Sequence, residues 1–461
     1  MKAKKAFDVV VIGGGPGGYA AAIHAAHLGA DVAIIERDRI GGTCLNRGCV
    51  PMIFLQRASR LLSRIRDAEG YGISVEVDLD LEAMQRRRDE VIEEIAGEME
   101  VSLKREGVEL IEGTAAFLKP GLIEVSMEGG RETLVYKSAI IATGSQPDRG
   151  RLGVSAENVL TTDEALDLGE IPRSIAVIGG GAVATSLACA FMNLGSEVFI
   201  LEDDARILDE EDEEIALGLQ DLLGSKGMKI FTNARVTAVG DADGGRRVFM
   251  TTPSGDREIK VEEVLTCQRA PNIGGIGLEL IGVETERGRI AVNDRMETNV
   301  SAVYAVGDVV GRQMLAHVAS AEGMVAAENA VGGEAKVDYR VIPKAIYSTP
   351  EVASVGLTQE RARSQGYRVK ASKFSLAQNT YAKIIGEAEG VIKAVADVES
   401  EEVLGVHILG SNAFDMISEC ALAMRLEATI EDIVNAVYAH PTRAEAIRDV
   451  FWKMYRALHY D

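Results

Sequence analysis

Cysteine is scarce, with five among 461 residues, at 44, 49, 189, 267 and 420. So few thiols with no spaced framework exclude a disulfide-stapled secreted scaffold and point to a reducing compartment, where a disulfide is catalytic rather than structural. The expected location is cytoplasmic. Basic residues are outnumbered, 49 Lys and Arg against 71 Asp and Glu, for a net charge of −22 and a pI near 4.9. That balance excludes nucleic acid and anionic membrane as partners and leaves a basic protein partner open. No apolar run is long enough to span a bilayer. The first one follows Lys4 and Lys5, but glycines break it from Gly13 and no cleavage-like site precedes Glu36, so no signal peptide is expected.

What is present in quantity is apolar side chain, at 47%, enough in this length for three or four domains. The most informative stretch is 41–51, GGTCLNRGCVP, with Cys44 and Cys49 five positions apart. In a regular helix such residues lie roughly 8 to 9 Å apart on diverging faces, beyond the span of a disulfide. The segment is therefore expected to turn, with Asn46 and Gly48 supplying the freedom, before Pro51 opens a helix whose apolar positions include Ile53, Leu55, Ala58 and Leu61. Cys49 then sits near a helix N-terminus, where the partial positive charge favours a thiolate. A redox pair is the sharp reading and two buried structural thiols the plain one. A zinc site lacks a second cysteine pair or a nearby histidine, and no metal site is expected.

Residues 7–12 form a continuous apolar run, followed at once by GGGPGG at 13–18, a helix expected over 19–28, and a second run, 32–35, that ends in Glu36. This is the dinucleotide-binding pattern: Gly13 for the turn, Gly15 for a pyrophosphate, Gly18 for helix packing, and the acid for ribose hydroxyls. A second copy runs from the strand 175–178 through Gly179, Gly181 and Ala184 to Glu202, again 23 positions from first glycine to acid. Two dinucleotides are therefore expected. Glu202, Asp203 and Asp204 disfavour a 2′-phosphate and so favour NAD over NADP, while the acidic run 209–214 reads as a solvated helix start.

Between the copies, 138–144 reads SAIIATG, a strand entering a glycine turn at Thr143 and Gly144. Residues 303–310, VYAVGDVV, read as another apolar strand, whose Asp308 is either a turn residue or a ligand for hydroxyls. From about 341 the pattern becomes α+β, with strands near 345–348, 391–396 and 403–408, a helix at 414–426 and no glycine fingerprint. There His440, in a proline turn five positions before Glu445, is either a base with its orienting acid or a surface turn histidine. Cys189, Cys267 and Cys420 read as core, His24 and His27 as helix surface; His407 and His459 have no identifiable context.

The order of these parts resembles, over essentially the whole chain, the flavin-dependent pyridine nucleotide–disulfide oxidoreductases, particularly those acting on dihydrolipoamide. GGGPGG, GGTCLNRGCVP, ATG, YAVGDV, MLAH at 314–317 and HPTRAE carry the resemblance. It implies an α/β fold with two Rossmann-like dinucleotide-binding domains and a C-terminal α+β dimerisation domain. The corresponding boundaries are 1–147 for FAD and the disulfide, 148–271 for NAD, 272–340 for a central segment completing the FAD site, and 341–461 for the interface. It implies a homodimer and FAD bound through the first motif with Thr43, Ala115, Thr143, Gly144, Asp308, Met314, Leu315, Ala316 and His317. Cys49 becomes the flavin-side sulfur, Cys44 the sulfur that exchanges with a dithiol substrate, and His440 of the partner subunit, held by Glu445, the acid/base.

Four positions depart from the family. Ile53 and Ser186 stand where the family pairs a lysine with a glutamate, Ala182 where an aromatic gates the nicotinamide pocket, and Gln268 where a glycine precedes Arg-x-Pro-Asn. Losing one member of a buried ion pair costs about 3 to 5 kcal/mol, whereas losing both can be nearly neutral. Three readings follow: an NAD-linked dithiol oxidoreductase; a variant with another electron partner or organosulfur substrate; and a non-catalytic dinucleotide-binding component of a complex.

Overall fold

A computed structural model describes residues 5–152 and 158–460; Lys4, the first charge flanking the opening apolar run, lies outside them. The first βαβ unit is β1 (Lys5–Ile12), α1 (Pro16–His27) and β2 (Val32–Glu36). Val9 and Val11 face one core while Val10 and Ile12 face another, so β1 is buried on both sides and reads as continuous apolar sequence. The chain then makes α2 (Gly42–Arg47), α3 (Cys49–Arg66), α4 (Leu81–Arg105), β3 (Glu109–Glu112), β4 (Thr114–Lys119), β5 (Leu122–Met127) and β6 (Gly130–Ile141). The sheet runs β3-β2-β1-β6-β5-β4, parallel from β3 to β6, and the short strand Val303–Ala305 adds to β6 in parallel. Residues 306–310 leave the strand early for a 3-10 turn at Gly307–Val309, so the apolar run there is half strand and half turn.

The repeat is built the same way, from β7 (Ser174–Ile178), α5 (Ala182–Leu194), β8 (Glu197–Leu201), α6 (Glu213–Ser225), β9 (Lys229–Phe231) and β10 (Glu263–Thr266). Its parallel sheet has the order β9-β8-β7-β10, and a separate antiparallel meander spans Arg235–Ala242, Gly245–Thr252 and Gly255–Val261. Helix α7 (Ala316–Ala330) then packs across α1.

The last unit is an antiparallel sheet of β11 (Lys344–Ile346), β12 (Val352–Gly356), β13 (Val369–Ser375), β14 (Val391–Asp397) and β15 (Val403–Leu409), ordered β11-β12-β15-β14-β13. Helices α8 (Ala413–Arg425) and α9 (Glu445–His459) cover it through Met416, Ile417, Val450 and Phe451.

The acidic run 209–214 does begin a helix, and Asp209, Glu210, Glu213 and Glu214 are exposed, but its middle is not solvated. Glu211 and Asp212 are 7% and 3% exposed. Asp212 caps α6 and meets Lys393 of β14 at 2.8 Å, where both side chains are under 5% exposed; Glu214 meets Lys393 at 2.9 Å. Glu211 accepts from Ser354 Oγ at 2.5 Å and faces Lys344 at 3.3 Å. The run looks solvated because its cations lie well over a hundred residues away in sequence, so local composition carries no sign of them.

Candidate active site

Both glycine runs close on their acids by the same hydrogen bonds. Gly14 N donates to Glu36 Oε2 at 2.7 Å, and Asp38 N to Oε1 at 2.9 Å. In the repeat, Gly180 N donates to Glu202 Oε2 and Asp204 N to Oε1 at 2.9 Å. Each carboxylate is thereby aimed at the mouth of its run, with lone pairs left for ribose hydroxyls. The glycines are enforced by space. Gly13 has φ +106° and a Cβ there would come 2.3 Å from the Ala142 carbonyl oxygen; one on Gly18 would come 1.9 Å from that of Gly13. These features fit a dinucleotide at both runs.

Around the first run, Thr143 Oγ1 donates to the Asn272 carbonyl at 2.7 Å and Asn272 Nδ2 returns a bond to the Thr143 carbonyl at 2.9 Å. The glycine turn at Gly144 is thus pinned by the CQRAPN segment. Gly113 N donates to Glu36 O at 2.8 Å, which places β4 and its buried Ala115 beside the end of β2. Asp308 accepts from Ser145 Oγ at 2.5 Å. Gly307 N donates to buried Glu322 at 2.6 Å, and Tyr339 Oη donates to the other oxygen of that carboxylate, also at 2.6 Å. Met314 is exposed, Leu315 caps α7, Ala316 begins it, and His317 Nε2 donates to Pro343 O at 2.9 Å. Burial holds the His317 imidazole below its ordinary pKa, against the bond to Pro343 O.

Cys44 lies inside α2 and Cys49 is the first residue of α3, with Gly48 breaking the helix between them. Asn46 is not the turn residue expected; it is helical, and its Nδ2 donates to the carbonyls of Gly42 at 2.9 Å and Ile40 at 3.1 Å, tying α2 to the loop before it. Both cysteines are half-buried free thiols, set close together by the break at Gly48. A hydrogen bond from the Cys44 thiol is the main influence holding Cys49 below the ordinary thiol pKa, against burial and the Asp308 carboxylate, with the Cys49 backbone amide and the Arg269 cation adding to it. The same bond, burial and the neighbouring Cys49 charge push Cys44 far up. The pair therefore has one thiolate and one protonated donor.

His440 and Glu445 form the second cluster. His440 Nδ1 donates to Glu445 Oε1 at 2.9 Å, and Thr442 N donates to Oε2 at 2.9 Å. These bonds keep the Glu445 carboxyl below its usual range, the Thr442 amide first and the imidazole second. The imidazole is 70% exposed and Glu445 13%, so the acid is anchored while the base faces outward with Nε2 free to accept a proton.

The description "pyridine nucleotide-disulphide oxidoreductase" matches residues 7–323, and the dimerisation domain of the same family matches 342–451. The chain belongs to this family. Dihydrolipoyl dehydrogenase of Thermus scotoductus is 40% identical, with 99% of each chain covered, and that of Bacillus subtilis is 38% identical, with 96% of each covered. The crystal structure of LpdA from Mycobacterium tuberculosis superposes with a TM-score of 0.89 at 25% identity, covering 97% of this chain and 99% of that one. The oxidoreductase is thus an FAD-dependent, NAD-linked disulfide enzyme with a homodimer-forming C-terminal domain.

Several residues of the site escape sequence reasoning. Arg269 bonds Ser145 Oγ at 3.0 Å and the Ser145 carbonyl at 2.9 Å, and so reaches Asp308. Its only signal is the CQRAPN motif. Glu322 looks like a helix-surface acid yet is 1% exposed. Cys189 and Cys420 are buried as expected, and burial lifts Cys189 to about 11; Cys267 is half-buried against the same core, and burial lifts it to about 12. His24 and His27 lie on the surface of α1 beside Glu328 and Glu106, and His459 pairs with Glu401. Among the described residues no cluster could hold a metal, and no helix is long and apolar enough to cross a membrane.

Proposed function

We propose that the enzyme oxidises a dihydrolipoyl-type dithiol through the Cys44–Cys49 pair, with electrons leaving through FAD to NAD. The observation that carries this reading is the thiol pair itself, Cys44 within α2 and Cys49 at the N-terminus of α3, both half-buried and brought together by the break at Gly48. Glu36, Thr43, Ala115, Thr143, Gly144, Asp308 and residues 314–317 hold FAD with the first glycine run, and Gly179, Gly181 and Glu202 hold NAD. When bound, FAD would supply a two-electron acceptor for the cysteine pair. The domains divide at 147, 271 and 340, the substrate is a lipoyl group that a carrier protein presents, and the compartment is the cytoplasm.

In the oxidised enzyme Cys44 and Cys49 share a disulfide. His440 of the partner subunit takes the proton of one substrate thiol at Nε2, its ring held by Glu445. The resulting thiolate attacks Cys44, forming a mixed disulfide and releasing Cys49 as thiolate, the form its surroundings favour. The imidazolium gives that proton to solvent and Nε2 then takes the proton of the second substrate thiol, whose thiolate attacks the substrate sulfur of the mixed disulfide. Cys44 leaves and takes a proton from the imidazolium, the substrate departs as a disulfide, and two electrons stay on the cysteine pair.

His440→Gln is expected to slow dithiol-driven flavin reduction by about a hundredfold or more while leaving NADH-driven reduction near the parent rate. Equal loss in both half-reactions would remove His440 from the acid/base role. A second reading, with another electron partner in place of NAD, is favoured by Ile53, Ser186, Ala182 and Gln268. Ser186 is buried with its Oγ bonded to Ala182 O at 2.7 Å, and Ala182 and Gln268 are exposed, so none of the four brings a charge or ring to the nicotinamide side.

A further inference from the structure

Helix α3 carries Cys49 on its first turn, and α5 opens at Ala182 beside the second glycine run. The two helices pack together through apolar groups such as Met52, Leu55 and Leu187. Among the described residues no ion pair joins them. At the far end Arg66 Nη1 donates to Asn193 O at 3.0 Å; near the site the link is Gln56, whose Nε2 donates to Ser186 O. Ser186 Oγ in turn donates to Ala182 O, so a polar ladder runs from α3 to the first turn of α5.

Gln56 is 2% exposed and its Oε1 is buried without a partner. An unsatisfied buried amide oxygen is costly, and an isosteric leucine in this apolar setting would avoid that cost. Packing alone therefore does not account for the glutamine.

We propose that Gln56 is a positioning residue that fixes the register of the nucleotide helix α5 against the disulfide helix α3. It does this by hydrogen bonding where, among the described residues, no ion pair joins the helices. The inference rests on the reading that NADH reduces the flavin from the α5 side and the dithiol from the α3 side.

The test uses FAD-loaded full-length protein with Gln56→Leu and Gln56→Glu. Glutamate donates to Ser186 O when protonated and cannot when ionised, and its apolar surroundings raise its pKa. Amide exchange over residues 182–190 is expected to quicken about fivefold in Gln56→Leu at every pH, and in Gln56→Glu only above the carboxyl pKa. The ratio of NADH-driven to dithiol-driven flavin reduction should follow the same pattern, falling about fivefold in Gln56→Leu and recovering on acidification in Gln56→Glu. Exchange equal to the parent in both variants overturns the proposal, and so does loss of exchange protection without the pH-dependent recovery. If the parent itself is not reduced by NADH, the functional reading fails. The exchange measurements still decide the role of Gln56.

Discussion

Cys44 and Cys49 differ by what each gives the other. Cys49 is the lower of the two because Cys44 donates a hydrogen bond to it, and any side chain that keeps that donor keeps the depression. In the reduced, FAD-loaded protein, a long-wavelength thiolate–flavin absorbance follows the ionisation of Cys49, present above its pKa and lost as pH falls through it. Cys44→Ser retains a hydroxyl donor and should titrate near the parent, whereas Cys44→Ala should lose the band at a pH about one unit or more higher. A pH titration of that band checks the assignment. Equal midpoints in the two variants would mean that Cys44 does not set the thiolate.

At the scale of elements, the glycine repeats were legible because their chemistry is local. A turn, a close backbone approach and an acid at the end of the next strand all fall within a few dozen residues. The same Gly N–H to carboxylate bond closes both copies. The acidic run before α6 is a helix start as its composition suggests, but the burial of Glu211 and Asp212 is hidden because their partners Lys344 and Lys393 belong to the C-terminal sheet. Asn46 was misread because a polar residue between two cysteines resembles a turn, while its side chain satisfies carbonyls at the start of α2. Glu322 and Gln56 were invisible for the same reason: burial is a tertiary property. That α3 and α5 carry no charge pair at Ile53 and Ser186 is legible in the sequence, and it predicts a flavin potential lower than a lysine at position 53 would give. Ile53→Lys returns a cation to the second turn of α3, and is expected to raise the flavin midpoint potential by about 20 mV or more, on the order of 1 kcal/mol. Ser186→Glu alone should destabilise the protein because that position is 1% exposed, and combining it with Ile53→Lys should recover part of the loss. A redox titration that leaves the Ile53→Lys potential unchanged or lowered would show that this position does not act on the ring.

Across the molecule, the second nucleotide unit is clamped to the C-terminal sheet by Lys393, Asp212 and Glu214, and α3 is tied to the same sheet by Arg60, which bonds Glu351 and donates to Ser348 O at 2.8 Å. Both strands of chemistry, disulfide and nucleotide, are thus referred to one platform, the one whose α9 carries Glu445 and positions the exposed His440. Lys393→Met strands a buried carboxylate and is expected to cost about 3 to 5 kcal/mol, read as a lowered melting temperature. Adding Asp212→Asn keeps the helix cap, removes the stranded charge and should recover most of the loss. Failure of the second change to rescue the first would place the cost in packing rather than charge. The measurement that bears most directly on the electron path is anaerobic stopped-flow spectroscopy of the FAD-loaded dimer, mixed separately with NADH and with dihydrolipoamide. Reduction of the flavin by both, with the long-wavelength thiolate band appearing in each, is the predicted result. Reduction by the dithiol but not by NADH would contradict the path to NAD and assign the electrons to another partner.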